Sequence, residues 1–253
     1  MAPSLRGGHA ESGPVDRPVR DDDAVRTVLV TGAEGQVGHA LAERLDADGW
    51  TVRGFDLVTG HDLRDETAVL EAARGCDAIV HAGAIPHDLG GTPADIVATN
   101  VLGTWHVLLA AERHAASRVV YFSSAQVFGC AEGEGVPEYR PVDDRHPLRA
   151  ARPYGMSKRL AEGMCAAWTT RTGIPTIVLR PVMILSDESL AHMTERDAEL
   201  GAFVHVDDVV DAVVKALRAP VDGHVRMTLC GPGEFDTTEA ERVLGWRASK
   251  GWT

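Results

Sequence analysis

The chain has 253 residues and a formal net charge of −12, which suits one acidic α/β domain with a full core. This acidity excludes the basic footprint of a nucleic-acid-binding protein and disfavours an anionic membrane surface as a partner. No apolar stretch approaches the length of a membrane span, so no membrane association is expected.

The four cysteines, at positions 76, 130, 165 and 230, are far apart and form no CxxC pair. This pattern favours reduced, mostly packed thiols in a cytoplasmic protein, and no residue cluster has the spacing of a metal site. Residues 1–24 are rich in Gly, Pro, Asp and Arg and contain no apolar core of a secretory signal. We expect them to form a disordered leader, followed by a single domain over residues 25–253.

The first strong pattern is a glycine-spaced turn over residues 31–38, with the sequence TGAEGQVG. It follows an apolar strand pattern at 27–30 and precedes an apolar helical pattern that starts at Ala40, which predicts the start of a βαβ unit. Glycines at positions 32, 35 and 38 suit a tight turn and close backbone approach to a pyrophosphate at a helix start. Alone, the motif is also compatible with a turn that binds nothing.

The next predicted strand, at 50–56, ends in an acidic residue, Asp56. Asp56 lies close to the offset of about twenty residues at which an acid binds the adenosine ribose hydroxyls of a dinucleotide. Its carboxylate would repel a 2′-phosphate, so the sequence favours NAD over NADP. A solvated acid at the end of a strand is the alternative reading of this residue.

A helical stretch is predicted from Asp62 to Ala73, with Asp62 as a candidate N-cap. A buried parallel strand follows at 77–84 and runs into a small-residue turn, where a ligand can approach the backbone. The next predicted helix begins at Asn100 and ends near Ala116. Its apolar face is wider than contact with one sheet requires, which suggests that it also packs against a second subunit. That face comprises Val101, Leu102, Trp105, Leu108, Leu109 and Ala111.

A strand at 118–122 ends at a serine pair, and a long loop rich in Gly, Pro, Asp and Glu follows over 129–153. The helix predicted after this loop, from 154 to about 171, carries Tyr154 and Lys158 four residues apart. These positions share one helix face, so the lysine charge would favour the phenolate of a group whose free pKa is about 10. Ser124, at the end of the preceding strand, supplies a hydroxyl that could hold a substrate oxygen.

The remaining predicted elements are a strand at 176–181, an amphipathic helix from about 203 to 219, a strand at 225–229 and a short helix at 237–244. Strands that alternate with helices along the whole chain predict a Rossmann-type, doubly wound parallel sheet, with a small C-terminal substrate-binding portion. We assign the substrate-binding elements to about 182–203 and 221–253.

Taken together, the motifs TGAEGQVG, HAGA, NVLGT, FSSAQVFG, YGMSK, LRP and FVHVDD resemble the extended short-chain dehydrogenase/reductases of the NAD-dependent epimerase/dehydratase group. The motifs follow the order of that family from Val25 to about Gly245. The resemblance implies an NAD-dependent enzyme in which Ser124, Tyr154 and Lys158 form the catalytic triad. It also implies that Asn100 has a structural or proton-relay role. A homodimer is implied as well, formed by the helix at 100–116 and the helix at 154–171.

The resemblance further implies which residues contact NAD. The residues at the pyrophosphate would be Gly32, Gly35, Gln36, Val37 and Gly38, with Asp56 at the adenosine ribose. Asp62 and Leu63 would flank the adenine. Those on the nicotinamide side would be Ala82, Gly83, Ala84 and Pro181, together with Tyr154 and Lys158.

Departures from the family pattern narrow the activity. Sugar 4,6-dehydratases carry Asp-Glu directly after the catalytic hydroxyl residue, whereas this chain has Ala125 and Gln126, which disfavours dehydration. The short stretch over 182–202 leaves little chain to enclose a nucleotide sugar, so the leading hypothesis is a dehydrogenase of a small sugar or sugar acid similar to uronate dehydrogenases. A nucleotide-sugar epimerase and a non-catalytic NAD-binding protein remain as alternatives.

A sugar acid would require a cation near its carboxylate. The candidates are Arg152, Arg180 and Arg196, and for Arg180 a structural ion pair is an equally good reading. Residues Glu188, His192, Glu195 and Arg196 are either part of a lid or, as a charge run usually is, a solvated helix face.

Overall fold

In the computed structural model, which describes residues 26–130, 134–192 and 203–250, six parallel strands form the central sheet. Their order across the sheet is β2-β1-β3-β4-β5-β8. These strands are β1 (Thr27–Thr31), β2 (Thr51–Phe55), β3 (Ala78–His81), β4 (Val119–Phe122), β5 (Thr176–Pro181) and β8 (His224–Leu229). The predicted leader lies outside the described residues.

Eight helices accompany the strands within the described residues: α1 (Gln36–Ala47), α2 (Glu66–Ala73), α3 (Pro93–Val97), α4 (Gly103–Arg113), α5 (Pro153–Thr172), α6 (Asp187–Ala191), α7 (Val206–Arg218) and α8 (Thr238–Leu244). A π-helical turn, Ala98–Leu102, joins α3 to α4 without a break.

Both faces of the sheet are covered by helices because alternate strand residues point to opposite sides. On one face, even-numbered residues of β1, such as Val30, pack with Leu41 of α1 and Val213 of α7. On the other face, Leu29 packs with Val69 of α2 and Trp168 of α5. The predicted doubly wound parallel sheet is therefore confirmed, and its strands all end at one edge.

Three element boundaries differ from the sequence prediction. The Asp62 N-cap is wrong: α2 begins at Glu66, and Asp65 caps it by accepting a hydrogen bond from Ala68 N at 3.1 Å. The helix predicted from Asn100 begins earlier, at Pro93, where Thr92 and Asp95 form a capping box with proline at the first helical position. That signal, TPAD, is visible in the sequence.

The third difference is a second, two-stranded parallel sheet. It pairs β6 (Met183–Leu185) with β7 (Phe203–His205), where the sequence predicted that 203–205 leads directly into a helix. In the sequence, the short apolar run FVH merges with the helical pattern of α7. This small sheet lies immediately after the end of β5, so it extends the fold on the side where the substrate portion is expected.

The helical stretch Pro93–Arg113 is long and apolar enough to span a membrane by length and composition alone, contrary to the sequence expectation. Half of its most apolar window is buried inside the protein, as in the core helix of a globular domain. Its residues Val107 and Leu108 are fully buried in the core that covers one face of the sheet.

Candidate functional site

A cavity of about 860 Å³ opens at the carboxyl edge of the central sheet. This is the edge at which open α/β sheets bind ligands, and the volume is in the range of small-molecule and cofactor sites. All but one of the predicted catalytic and NAD-contacting residues line it: Gly32, Gly35, Gln36, Val37, Gly38, Asp56, Asp62, Leu63, Ala82, Gly83, Ala84, Ser124, Tyr154, Lys158 and Pro181. Asn100 is the exception.

The glycine turn between β1 and α1 forms one end of this cavity. Gly32 has a φ of +73°, and its N–H donates to Phe55 O at 2.9 Å, which ties the turn to β2. A Cβ at Gly38 would lie 2.1 Å from Gly32 O, so any side chain there would break the turn. The chain can therefore only make this turn with glycine at both positions.

The start of α1 fits a pyrophosphate. The first hydrogen bond of the helix runs from His39 N to Gly35 O at 2.9 Å, so the N–H groups of residues 36–38 precede the helical ladder and face the cavity. A Cβ added to Gly35 would meet only Gly32 O, at 3.3 Å, among the atoms within 4 Å. Gly35 lines the cavity, so the missing side chain leaves space for a close-lying phosphate.

Asp56 ends β2 beside this turn. Its carboxylate accepts hydrogen bonds from Glu34 N at 3.1 Å and from Val58 N at 2.9 Å, which hold it at the cavity wall. Further along the same wall, Asp62 is paired with Arg64, whose Nη2 lies 2.6 Å from its Oδ2. The side-chain hydrogen bond from Arg64 lowers the pKa of Asp62, which favours the charged form of this carboxylate.

Ser124, Tyr154 and Lys158 meet at the other end of the cavity. Ser124 follows β4, and its Oγ accepts a hydrogen bond from Gln126 N at 3.2 Å. Tyr154 lies in the first turn of α5, and its backbone N–H donates to Asp88 Oδ1 at 2.7 Å. Lys158 Nζ donates to Phe122 O at 2.7 Å and lies 5.8 Å from the centre of the Tyr154 ring. Tyr154 and Lys158 thus share one helix face.

The Lys158 ammonium is almost completely buried, with only 3% of the residue exposed. Burial lowers the pKa of Lys158 to about 7, and the negative charge of Glu162 one turn later partly opposes this shift. An amine with this pKa releases its proton near neutral pH. Strongly perturbed groups of this kind, in a cavity, are typical of functional sites.

Asn100 lies behind the cavity wall, in the π-helical turn, and 1% of it is exposed. Its Oδ1 accepts from Ile85 N at 2.8 Å, and its Nδ2 donates to Ile85 O and to Ser157 Oγ, each at 3.0 Å. Of the two roles given by the resemblance, these contacts correspond to the structural one. π-turns inside helices are frequent at functional sites.

Two of the three arginines proposed to bind a substrate carboxylate, Arg152 and Arg180, do not line the cavity. Arg180 is fully buried and forms an ion pair with both oxygens of Glu162, which corrects its candidacy as a substrate ligand. Arg152 Nε lies 3.6 Å from Asp88 Oδ2 at the rim. Arg196 lies outside the described residues.

Of the four residues considered for a lid, Glu195 is also outside the described residues. Glu188 lies in the first turn of α6 and His192 directly follows the helix, with His192 Nδ1 2.7 Å from Glu188 O, and neither lines the cavity. The cavity also includes residues 182–184 after β5, which lie in the substrate-binding element predicted at about 182–203. Residues 85–87 after β3 and Gln126 line it too, and the sequence did not single them out as site residues. Their position directly after strand ends was the available signal.

No group of three or more His, Cys, Asp or Glu side chains in the described part of the chain could hold a metal ion. The four cysteines are free thiols, and three of them are buried.

Comparison with known proteins gives the following similarities. The model of the NAD dependent epimerase/dehydratase family matches residues 28–231. Uronate dehydrogenase of Pseudomonas syringae pv. tomato is 29% identical over 209 residues, which cover 78% of this chain and 71% of the relative. A variant of the uronate dehydrogenase from Agrobacterium tumefaciens, solved in complex with NAD, has a TM-score of 0.74 and 26% identity, covering 90% of this chain and 86% of that chain.

UDP-glucose 4-epimerase from Thermotoga maritima, solved with UDP-glucose, has a TM-score of 0.76 and 18% identity. The match covers 89% of this chain and 94% of that chain. At this identity the likeness concerns the fold alone. The same fold thus occurs in an epimerase and in a dehydrogenase.

Proposed function

The chain belongs to the NAD dependent epimerase/dehydratase family, and we propose that it is a dehydrogenase that acts on a hydroxyl group of a small sugar or sugar acid. NAD is its cofactor, as in the family and in the NAD complex of the similar uronate dehydrogenase. The observation that carries the proposal is the buried Lys158 ammonium beside Tyr154, on the wall of a cavity that also contains Ser124.

The residues of the glycine turn fit the pyrophosphate of NAD, because residues 36–38 offer N–H groups and Gly35 leaves space for the phosphates. Asp56 would accept hydrogen bonds from the adenosine ribose, and Asp62 and Leu63 would flank the adenine. The nicotinamide end would lie near Gly83, Pro181 and Lys158. When bound, NAD supplies the acceptor for a hydride.

The chain's own residues would handle the proton. Tyr154 Oη accepts the proton of the substrate hydroxyl as general base while Ser124 Oγ holds the same oxygen by a hydrogen bond. The Lys158 charge favours the phenolate because an opposite charge nearby lowers the pKa of an acid. In this buried wall, that attraction is less screened than it would be in water.

A dehydrogenase and an epimerase can be distinguished by net turnover of the cofactor. A dehydrogenase accumulates NADH with its substrate, which absorbance at the NADH band measures directly. We expect NADH formation from at least one compound of a panel of uronates and aldoses, and none from UDP-glucose. Conversion of UDP-glucose to UDP-galactose without net NADH would overturn the dehydrogenase assignment in favour of the epimerase.

The role of Tyr154 has a matched control in the same chain. Removing the phenolic oxygen in Tyr154→Phe should lower kcat by about 10²- to 10⁴-fold, the usual contribution of general base catalysis. Tyr139→Phe removes the hydroxyl of a half-exposed tyrosine that donates to Asp143 on the loop, at 2.7 Å, and should retain activity. Equal activity of Tyr154→Phe and wild type would remove the triad assignment.

We also propose that the chain forms a homodimer through α4 and α5. Large apolar side chains are exposed here: Leu102, in the π-helical turn that leads into α4, by 46%, Trp105 of α4 by 36% and Leu160 of α5 by 48%. Two other residues of the predicted apolar face, Leu108 and Ala111, are buried in the chain's own core. Sedimentation should show a dimer at micromolar concentration, and Leu160→Glu should shift it to monomer. A wild-type protein that sediments only as monomer would contradict the dimer.

A further inference from the structure

A continuous series of buried hydrogen bonds starts directly beneath the glycine turn. Gly83, in the cavity wall, donates its N–H to Thr31 Oγ1 at 3.1 Å, and Thr31 Oγ1 lies 2.7 Å from His81 Nδ1. On the other side of the imidazole, His81 Nε2 lies 3.0 Å from Thr104 Oγ1 on α4. His81 and both threonines are at most 1% exposed.

The series continues to the helix that carries Tyr154. Thr104 Oγ1 donates to the backbone oxygen of Asn100 at 2.6 Å. The side chain of Asn100 donates from Nδ2 to Ser157 Oγ at 3.0 Å, and Ser157 Oγ donates to Tyr154 O at 2.7 Å. The contacts therefore connect Gly83, beside the glycine turn, with the first turn of α5.

The direction of every bond in the series is determined by its ends. Tyr154 O can only accept, so the Ser157 hydroxyl donates to it and accepts from Asn100 Nδ2. The amide of Asn100 cannot be reversed, because its Oδ1 receives the N–H of Ile85. Thr104 uses its only hydroxyl proton on Asn100 O, so its oxygen must accept a proton from His81 Nε2.

The same argument fixes the other half of the imidazole. His81 in its neutral form has one donor and one acceptor nitrogen, so with Nε2 as donor its Nδ1 must accept. The Thr31 hydroxyl therefore donates to Nδ1, and its oxygen accepts the Gly83 N–H. With these assignments, each of the six bonds in the series donates in the direction from Gly83 towards Tyr154.

We propose that His81, as the neutral Nε2–H tautomer, is a positioning residue that couples the wall of the cofactor site at Gly83 to the backbone of Tyr154. This inference rests on the proposed function of Tyr154. A Cβ at Gly83 would lie 3.0 Å from Gly32 N, so Gly83 is in close contact with the glycine turn, and the bond that its N–H donates to Thr31 holds it there. At the far end, Ser157 and Asp88 bind the backbone oxygen and nitrogen of Tyr154.

The surroundings of His81 keep the imidazole neutral. The Tyr121 ring of β4 lies 5.6 Å from the imidazole, centre to centre, and Lys158 of α5 lies on that ring at 5.2 Å. Burial, and secondarily the charge of Lys158, lower the pKa of His81 to about 3. A protonated imidazole would also leave the Thr31 hydroxyl proton without its acceptor on Nδ1.

The tautomer can be observed by NMR of histidine labelled with ¹⁵N, in the protein without cofactor. The resonances of His81 are identified by their absence in His81→Phe or, if that variant does not fold, by their shift in Thr104→Val. We expect the Nε2–H pattern, unchanged between pH 5 and pH 8. An Nδ1–H pattern, or titration in this range, would overturn the proposal.

The coupling is tested by a pair of substitutions at Thr104. Thr104→Val keeps the shape and removes the hydroxyl, and it should lower kcat on the order of tenfold to a hundredfold with little change in KM, as expected for a small displacement of catalytic groups. Thr104→Ser restores the hydroxyl and should recover most of kcat. NAD binding is measured by protein fluorescence. The dissociation constant of NAD should increase in Thr31→Val and return towards the wild-type value in Thr31→Ser.

The matched control is Thr176→Val. Thr176 is the first residue of β5, so it lies at the end of the sheet opposite the cavity. Thr176 is also fully buried and also bonds a histidine, with its Oγ1 2.7 Å from His224 Nδ1, but it does not line the cavity. It should leave kcat within a few-fold of wild type. Equal kcat in Thr104→Val and Thr104→Ser, or an equal loss in Thr176→Val, would contradict the proposal.

The two proposals fail separately. The tautomer measurement requires no catalysis, so an active Tyr154→Phe would remove the function proposed for Tyr154 and leave the bonding of His81 intact. Conversely, a wrong tautomer with an inactive Tyr154→Phe would remove the coupling and leave the proposed function.

Discussion

Arg180 donates to both carboxylate oxygens of Glu162, from Nε at 2.8 Å and from Nη2 at 2.6 Å, and neither residue is more than 2% exposed. The same carboxylate accepts the hydroxyl of Ser123 at 2.6 Å. Ser123 precedes Ser124, Arg180 precedes Pro181, and Glu162 follows Lys158 by one turn of α5. One buried ion pair therefore joins the three elements that carry the proton-handling end of the cavity.

Removing one partner of this pair should destabilise the fold strongly. We expect Glu162→Gln to lower the free energy of unfolding by about 3–5 kcal/mol, because it leaves the buried Arg180 charge with only the more distant Asp144 carboxylate, 3.4 Å from Nη1, as counterion. Urea denaturation measures this change. Asp211→Asn is the control, because Asp211 pairs with Lys215 at the surface of α7. Its cost should be at most about 1 kcal/mol. Similar costs for the two variants would contradict the structural role of the buried pair.

The buried Lys158 predicts a specific dependence of stability on pH. Its pKa is about 7 in the fold, below its ordinary value of 10.5. Between these values the unfolded chain binds a proton that the folded chain has released, so the free energy of unfolding rises with pH by about 1.4 kcal/mol per unit. Below about pH 7 both states are protonated and the contribution is flat.

The measurement compares wild type with Lys158→Met by urea unfolding from pH 6 to pH 10. Other titrating groups contribute to both proteins, so the difference between the two curves isolates the lysine. We expect the difference to be constant at the acidic end and then to rise in favour of wild type. Parallel curves over the whole range would show that the folded-state pKa of Lys158 is not lowered.

Much of the fold was predictable because the strands have strong apolar patterns and the helices between them are regular. The site residues near the glycine turn and on α5 were predictable because the family motifs are short and local. For Arg180 the sequence alone is not sufficient. Its position in the LRP motif is compatible with binding a substrate and with forming a structural ion pair. Only the three-dimensional position of Glu162, eighteen residues earlier, decides between them.

The series through His81 was not predictable for a similar reason. Its members come from separate parts of the chain, with 50 residues between Thr31 and His81 and 57 between Asn100 and Ser157. No local pattern encodes contacts of that range. The strand Phe203–His205 was missed because a three-residue apolar run has no period of its own and precedes a helix with a strong one.

Substitutions at two glycines of the turn distinguish a loss of packing from a loss of space for the ligand. Gly38→Ala should destabilise the protein, because its Cβ would lie 2.1 Å from Gly32 O. The Cβ of Gly35→Ala would meet only one atom within 4 Å, at 3.3 Å, and Gly35 lines the cavity. We therefore expect Gly35→Ala to stay folded and to weaken NAD binding about tenfold or more, a loss of about 1.4 kcal/mol.

The control for these substitutions is Gly163→Ala, in the exposed middle of α5, where a Cβ meets nothing within 4 Å. It should raise the free energy of unfolding by about 0.5–1 kcal/mol, because alanine suits a helix better than glycine, and leave NAD binding unchanged. Thermal unfolding and fluorescence titration with NAD give the two quantities. Tight NAD binding by Gly35→Ala would show that the phosphates do not approach this turn.

The last prediction concerns the choice between NAD and NADP. The Asp56 carboxylate lines the cavity at the end of β2, and its two bonds, from Glu34 N and Val58 N, hold it there. This charge would repel a 2′-phosphate. Asp56→Asn should therefore lower the ratio of the NADP dissociation constant to the NAD dissociation constant by about tenfold or more. Asparagine keeps an oxygen for one of the two bonds, so the turn should persist. Asp65→Asn is the control: Asp65 caps α2 and does not line the cavity, and asparagine caps helices equally well. If the ratio were the same in Asp56→Asn and Asp65→Asn, the carboxylate of Asp56 would not select the cofactor.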